Sequence, residues 1–324
     1  MRILVTGGAG YIGSHFVTQA LKNGFSELIV VDDLSTGFKT RLPEKVEFHQ
    51  LDLASETTQS RLTYILEQNI DAVVHFAANK AVAESVVNPE KYFHTNIGAT
   101  VNLLSAMRQA NVTKIVLSSS AAVYGEPSVP IVYEDTPCYP INPYGQSKLV
   151  SEMALENASN AWGLEAIALR YFNVAGALNP SLADTTSTNL MPAILDRITH
   201  NQVLQIFGND YCTSDGTCIR DYIHILDLVD AHLAALNNLR ASREPRLTTF
   251  NVGTGFGSSV LEIVKAFQSL PDVDVKYQYA PRRPGDPASL TANVDKIAEQ
   301  LSWQAKYTTR DIVKSVIDNP PLTS

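Results

Sequence analysis

The sequence predicts an α/β fold built on a doubly wound parallel sheet, and three observations carry that prediction. Short apolar runs alternate with segments of helical period through the first half of the chain, as strands joined by crossover helices do. The first run enters the first helical segment through a cluster of glycines, Gly7-Gly8-Ala9-Gly10-Tyr11-Ile12-Gly13. The second run ends in the acidic pair Asp32-Asp33.

Taken in order, residues 2–6 form a strand and the helix after the glycines runs to about Asn23-Gly24. Gly7, Gly10 and Gly13 make a G-x-x-G-x-x-G pattern, a variant of the dinucleotide fingerprint whose first gap is one residue longer. Glycine is needed there for the tight turn, for close backbone approach to a pyrophosphate, and for packing helix on strand; the pyrophosphate then sits on the helix N-terminus. Asp32 and Asp33 follow the strand Leu28–Val31, about 20 residues past the glycines, where a carboxylate binds the adenosine ribose hydroxyls. A carboxylate there repels a 2′-phosphate, so NAD is preferred over NADP. Val46–His49 is a third strand, leading to Asp52, and a helix spans 56–68. Ala72–Phe76 is a fourth, buried strand, and the small residues Ala77-Ala78 at its end leave room for a cofactor.

Residues 89–110 read as one long helix, with Asn96 either a functional amide or a core-facing one with local partners. The fifth strand, Lys114–Leu117, ends in Ser118-Ser119-Ser120-Ala121-Ala122, serines placed to hydrogen-bond a reacting hydroxyl. An ordered loop over 127–143 precedes a helix that starts near Pro143 and runs to about Ala161; a strand over Ala166–Asn173 follows. Beyond it the alternation weakens. The division expected is therefore a nucleotide-binding domain over 1–172 carrying the catalytic residues. A smaller α/β substrate-binding domain over 173–324 follows, with some chain returning to the first.

Composition narrows the function. The 324 residues are 45% apolar and 18% charged, ordinary for a globular protein, and the net charge of −8 argues against nucleic acid or an anionic membrane as partner. No run of about 18 apolar residues exists to span a membrane, and the opening residues enter a strand rather than a signal peptide. Cys138, Cys212 and Cys218 are an odd count without zinc spacing, so free thiols are expected; the seven histidines form no metal motif, and His75, His224 and His232 take structural roles.

Tyr144 and Lys148 stand four apart and point the same way on their helix. A phenol beside an ammonium is an acid/base unit, since a cation favours the phenolate over its ordinary pKa of about 10. Reaching neutrality needs more than one such cation. In the second half, Asn189-Leu190-Met191-Pro192 starts a helix whose free amides suit an anion. Arg220, and Arg283 in the turn Pro281-Arg282-Arg283-Pro284-Gly285-Asp286-Pro287, suit a diphosphate.

Together Val5–His15, Ser118–Gly125, Tyr144–Lys148, Arg170–Asn173, Phe207–Tyr211, Arg220–His224 and Ala280–Asp286 resemble the extended short-chain dehydrogenase/reductase family, and within it the UDP-glucose (UDP-galactose) 4-epimerases, almost end to end. The resemblance implies a Rossmann fold and tightly bound NAD. It makes Tyr144 the base at the sugar 4-hydroxyl, Lys148 the residue that binds the nicotinamide ribose and lowers the tyrosine pKa, and Ser120 a hydrogen-bond partner of the reacting oxygen. NAD⁺ would be the second cation. Further cofactor contacts are implied for Gly7, Gly10, Tyr11, Ile12, Gly13, Asp32, Asp33, Asp52, Leu53, Phe76, Ala77, Lys80, Asn96, Ser118 and Tyr171. Asn173, Asn189, Leu190, Phe207, Arg220, Arg283 and Asp286 are similar to residues that hold the UDP moiety. A cytoplasmic homodimer built on the two long helices is also implied.

Departures and rivals sharpen this. The stretch 178–188 lacks the usual glycines, and Leu290 stands where the family gates entry of N-acetylated sugars. Related 4,6-dehydratases and decarboxylases need an acid beside the catalytic serine, where this chain has Ala121-Ala122. A 4-epimerase of N-acetylhexosamine, glucuronate or pentose UDP-sugars stays open, as does, less favoured, a non-catalytic NAD sensor.

Overall fold

A computed structural model describes residues 1–186, 189–241, 246–283 and 286–322. Pro284 and Gly285 of the Pro281–Pro287 turn, and the end of the 178–188 stretch, lie outside the described residues. The chain divides into two compact units. Met1–Val123, Pro140–Arg170 and Val229–Phe250 form the first; Tyr124–Tyr139, Tyr171–Leu228 and Asn251–Ser324 form the second. Grouping therefore does not follow a single cut near residue 172. Residues 124–139 join the second unit because their strand Ile131–Val132 pairs with Ser289–Ala292.

The first unit is built on a seven-stranded sheet. Its order is Leu247–Val252, Glu165–Tyr171, Lys114–Ser118, Ala72–His75, Arg2–Thr6, Glu27–Asp32, Glu47–Gln50. From Glu165 to Glu47 every neighbouring pair is parallel. The central strands are buried on both faces, which is why they read as continuous apolar runs rather than alternating ones. Leu4, Val73, Ile115, Leu103 and Leu155 belong to one core cluster that binds strands to helices.

The long helix expected over 89–110 is broken into three. About one turn at Pro89–Tyr92 passes into a π-helical stretch, Phe93–Ile97, and then into Gly98–Gln109. Such a stretch accommodates a residue more than the α-helical repeat allows, and it carries Asn96. The helix expected over 56–68 is a 3₁₀ turn, Glu56–Thr58, followed by Gln59–Leu66. The strand expected over 166–173 ends at Tyr171; Asn173–Ala175 starts anew beside Tyr222–His224 in another sheet. The loop expected over 127–143 contains a strand.

The second unit holds a five-stranded mixed sheet around Ile219–His224, and a parallel pair, Leu204–Phe207 with Tyr277–Ala280. Its core gathers Met191, Ile194, Ile263, Phe267 and Ile312 from helices packed on those strands. Asp221 is fully buried and accepts from the Thr254 and Gly255 amides, so backbone dipoles hold its charge and it fixes that loop.

Candidate active site

The glycine turn gives its three glycines different reasons. Gly7 has φ +69°, and a Cβ there would meet the Ala77 nitrogen at 2.5 Å. A Cβ on Gly13 would meet the Gly7 carbonyl at 2.2 Å, so helix and turn touch through bare backbone. At Gly10 a Cβ would be tight but not clashing, the nearest atom being the Gly7 oxygen at 3.3 Å. Gly10 is also the N-cap of the Tyr11–Lys22 helix, and no side chain caps that end. A helix start without a side-chain cap suits an anion, and Tyr11 and Ile12 lie in its first turn. A dinucleotide pyrophosphate fits this surface.

Asp32 ends its strand buried, its two carboxylate oxygens accepting from Ala9 N–H at 2.9 Å and Leu34 N–H at 2.8 Å. Burial raises its pKa, and these amides pull it back. Each oxygen keeps acceptor capacity for a hydroxyl. Asp33 instead accepts from the Ser35 amide and hydroxyl, and Asp52 from the Ala54 amide at 2.9 Å. The Leu53 side chain lies in the core and its carbonyl accepts from Asn102. Phe76 packs on Phe16 and His232, Ala77 presses on Gly7, and Lys80 is exposed with its ammonium 5.5 Å from the Tyr11 ring centre.

Asn96 takes the core-facing option. Its amide accepts from Asn79 N–H at 2.8 Å and donates to Asn79 C=O and to Ser147 Oγ. Both its N–H groups are spent on the chain, so it fixes the loop after the Ala72–His75 strand against the Tyr144 helix.

That helix spans Pro143–Trp162, with Pro143 in its first turn and the Asn142 side chain accepting from the Gly145 amide. A Cβ at Gly145 would meet the Ala122 carbonyl at 2.5 Å, so the helix start rests directly on the Ala121–Tyr124 turn. Tyr144, Lys148 and Ser120 are all less than a tenth exposed. Burial raises the Tyr144 pKa and the hydrogen bond with Ser120 lowers it. Burial is the larger of the two influences, so positive charge is needed to favour the phenolate. Lys148 Nζ donates to the Ser118 carbonyl at 2.8 Å, and burial pulls its own pKa down to about 8.

Sequence reading did not bring Ser119, Glu152 and Arg170 together. Ser119 Oγ donates to the Glu152 carboxylate, which also accepts Arg170 Nε at 3.0 Å and Nη2 at 2.7 Å. All three are buried. Glu152 follows Lys148 by one helical turn, the only local signal that could have flagged it.

In the second unit, Arg220 donates to the Ile219 and Pro287 carbonyls and to Asp286 at 3.2 Å. The Arg283 guanidinium lies 4.0 Å from the Phe207 ring centre and Arg282 stacks likewise on Tyr211 at 4.2 Å. The buried Tyr211 hydroxyl has no partner among the described residues, an acceptor or donor left for something else. Asn189 caps the start of Leu190–Thr199 by position only; its side chain reaches Asp184 instead, leaving the helix amides without a side-chain cap. Asn173 is exposed, Tyr171 half-buried, and Leu290 pairs in register with Arg220. No cluster of metal-ligating side chains occurs among the described residues.

Residues 3–253 match the NAD dependent epimerase/dehydratase family. The UDP-glucose 4-epimerase of Azospirillum brasilense is 44% identical over 98% of this chain and 91% of its own length. Among solved structures, the UDP-glucose 4-epimerase of Stenotrophomonas maltophila, with bound NAD and formylated UDP-arabinopyranose, is 38% identical. It superposes with a TM-score of 0.91 over 97% of this chain and 96% of that one. The UDP-Glc/GlcNAc 4-epimerase of Campylobacter jejuni is 42% identical, with a TM-score of 0.84 over 98% of each. The chain belongs to the NAD dependent epimerase/dehydratase family.

Proposed function

We propose that the protein interconverts UDP-glucose and UDP-galactose by inverting C4 of the sugar. The observation that carries this is the buried Ser120–Tyr144 hydrogen bond above Lys148, with Ala121-Ala122 and no acid beside it. Tyr144 Oη takes the proton of the 4-hydroxyl while Ser120 Oγ holds that oxygen, and the same phenol later returns a proton after the carbon has inverted. Between these events the sugar is a 4-keto ring that must turn over, which demands a firm grip on the nucleotide and a loose one on the sugar. Asn173, Asn189, Leu190, Phe207, Arg220, Arg283 and Asp286 are the residues to which we assign that grip.

Bound NAD supplies the hydrogen acceptor and donor at C4, and its positive ring is the further cation Tyr144 requires. Gly7, Gly10, Tyr11, Ile12 and Gly13 would hold its pyrophosphate and Asp32, with Asp33, its ribose. Asp52, Leu53 through its backbone, Phe76, Ala77, Lys80, Asn96, Ser118, Lys148 and Tyr171 would line the rest, Asn96 by fixing its neighbours. The enzyme as isolated is expected to convert UDP-galactose to UDP-glucose without added NAD. After stripping and reconstitution NAD restores far more activity than NADP. No conversion even with NAD added overturns the activity, and equal recovery with NADP overturns the role of Asp32.

The C. jejuni relative's name includes a UDP-GlcNAc activity. Leu290 is smaller than the tyrosine of the strictest members, which leaves a minor activity on N-acetylated sugars as the second reading. UDP-N-acetylgalactosamine offered to the same preparation tests it, and no turnover removes it.

A homodimer completes the proposal. Val101 on the Gly98–Gln109 helix and Val150 and Met153 on the Pro143–Trp162 helix are exposed apolar side chains. Light scattering is expected to give twice the chain mass, and Met153→Asp to lower it; a monomeric wild type overturns this. The compartment we assign is the cytoplasm, because Cys138, Cys212 and Cys218 are all free thiols, which a reducing environment keeps. A functional fusion exported to an oxidising compartment without loss of activity would count against it. No described helix is long and apolar enough to cross a membrane.

A further inference from the structure

Three consecutive residues at the end of the Lys114–Ser118 strand each read one turn of the same helix. Ser120 meets Tyr144, the Ser118 carbonyl meets Lys148, and the Ser119 hydroxyl meets Glu152. Residues 144, 148 and 152 are successive positions on one helical face. The lowest of these levels has no part in the proton transfer, yet it is the most heavily built. Glu152 is held by Ser119 from one side and by the fork of Arg170, on the Glu165–Tyr171 strand, from another. A carboxylate fixed on two sides cannot swing to follow its neighbours.

We propose that Glu152 is a positioning residue for Lys148: fixed one helical turn from it on the same buried face, its anchored carboxylate supports the ammonium that the site uses. This rests on the epimerase reading, in which Lys148 must be charged to support the Tyr144 phenolate. The physical case is simple. Lys148 is almost wholly buried and donates to an uncharged carbonyl, whose dipole favours the ammonium without supplying a countercharge. Glu152 supplies one, and is the charged neighbour that raises the Lys148 pKa against the pull of burial.

The other groups facing this cluster do not take over the role. His75, on the Ala72–His75 strand, is neutral, its pKa lowered by burial to about 3, and spends its ring on Thr6 and Thr100. His232 bonds the Ser118 hydroxyl. Tyr144 on the same helix has its pKa raised by burial and so is neutral in the free protein. Arg170 is itself a cation and cannot help Lys148 keep its proton; its bidentate contacts fix the Glu152 carboxylate in place.

The test compares wild type with Glu152→Gln, which keeps shape and a hydrogen-bonding group for Ser119 but removes the charge. Two readouts are taken: the pH dependence of kcat for UDP-galactose, and the titration of Lys148 followed by NMR of isotope-labelled lysine, assigned with Lys148→Arg. The expected result is that the alkaline limb of kcat and the NMR titration both move to lower pH by about half a unit or more. If both stay in place while the variant still melts cooperatively, the proposal is overturned, since a purely structural glutamate would lower activity without moving either. Should the single variant not fold because Arg170 is orphaned, Glu152→Gln with Arg170→Gln removes the pair together; loss of the Arg170 cation works the other way, so a smaller downward shift is expected, and no shift or an upward one overturns the proposal. A wild type with no activity would instead sink the epimerase reading, and the NMR titration would still decide the role of Glu152.

Discussion

Each unit contains an arginine–carboxylate pair at its functional residues, and the two are built for different work. Arg170 meets Glu152 through contacts of 2.7, 3.0 and 3.2 Å, with both side chains below a tenth exposed. Arg220 meets Asp286 through a single contact of 3.2 Å, and the carboxylate is 36% exposed. The first pair is desolvated and satisfied on several sides, so separating its members leaves a buried charge without compensation. In the second, water can take the place of Asp286 at little cost, while the buried Arg220 keeps its bonds to the Ile219 and Pro287 carbonyls. A pair of the first kind fixes geometry around proton transfer; one of the second kind can exchange its internal partner for a ligand's ribose or phosphate. A reaction in which the nucleotide stays held while the sugar turns over needs both.

Three substitutions would break or sharpen this contrast. The largest effect is expected of Tyr144→Phe in the rigid part: a loss of turnover on the order of 10²–10⁴-fold or more, with NAD still co-purifying, checked by kinetics and the absorbance of bound cofactor. Near wild-type rates would remove the phenol from the mechanism. Next comes Arg170→Met, which leaves Glu152 buried and unpaired; a stability loss of about 3–5 kcal/mol is expected from denaturant unfolding, and a loss below about 1 kcal/mol would show the pair to be as dispensable as a surface one. The smallest stability change is expected of Asp286→Asn, within about 1 kcal/mol of wild type. Its effect should appear instead as a raised KM for the UDP-sugar with kcat little changed, which isothermal titration with UDP can check. A large loss of stability there would erase the distinction between the two pairs.

What the sequence revealed follows the reach of local rules. The glycine turn, Asp32 and the Tyr144/Lys148 pair were legible because their spacing is set by a single strand–turn–helix or a single helical turn. Ser120 was legible because a strand end points into the cofactor edge of a parallel sheet. Ser119, Glu152 and Arg170 escaped because they come from three elements whose contact depends on the sheet order, and each alone reads as an ordinary polar residue. The π-helical stretch at Phe93–Ile97 escaped because one additional residue per turn leaves no compositional mark. Ile131–Val132 is too short for periodicity to register and exists only through its pairing with Thr291-Ala292. Arg220 was picked out for its chemistry, but its hold on Asp286 is a long-range contact that no spacing rule could supply.

Gly145 shows what this arrangement asks of evolution. It carries no functional group, yet a single methyl there would strike the Ala122 carbonyl and lift the start of the helix. Tyr144 would be carried away from Ser120 with it. A position without chemistry of its own thus constrains the site through sterics alone. A library that varied only residues with reactive side chains would overlook one of the narrowest gates through which the sequence must pass.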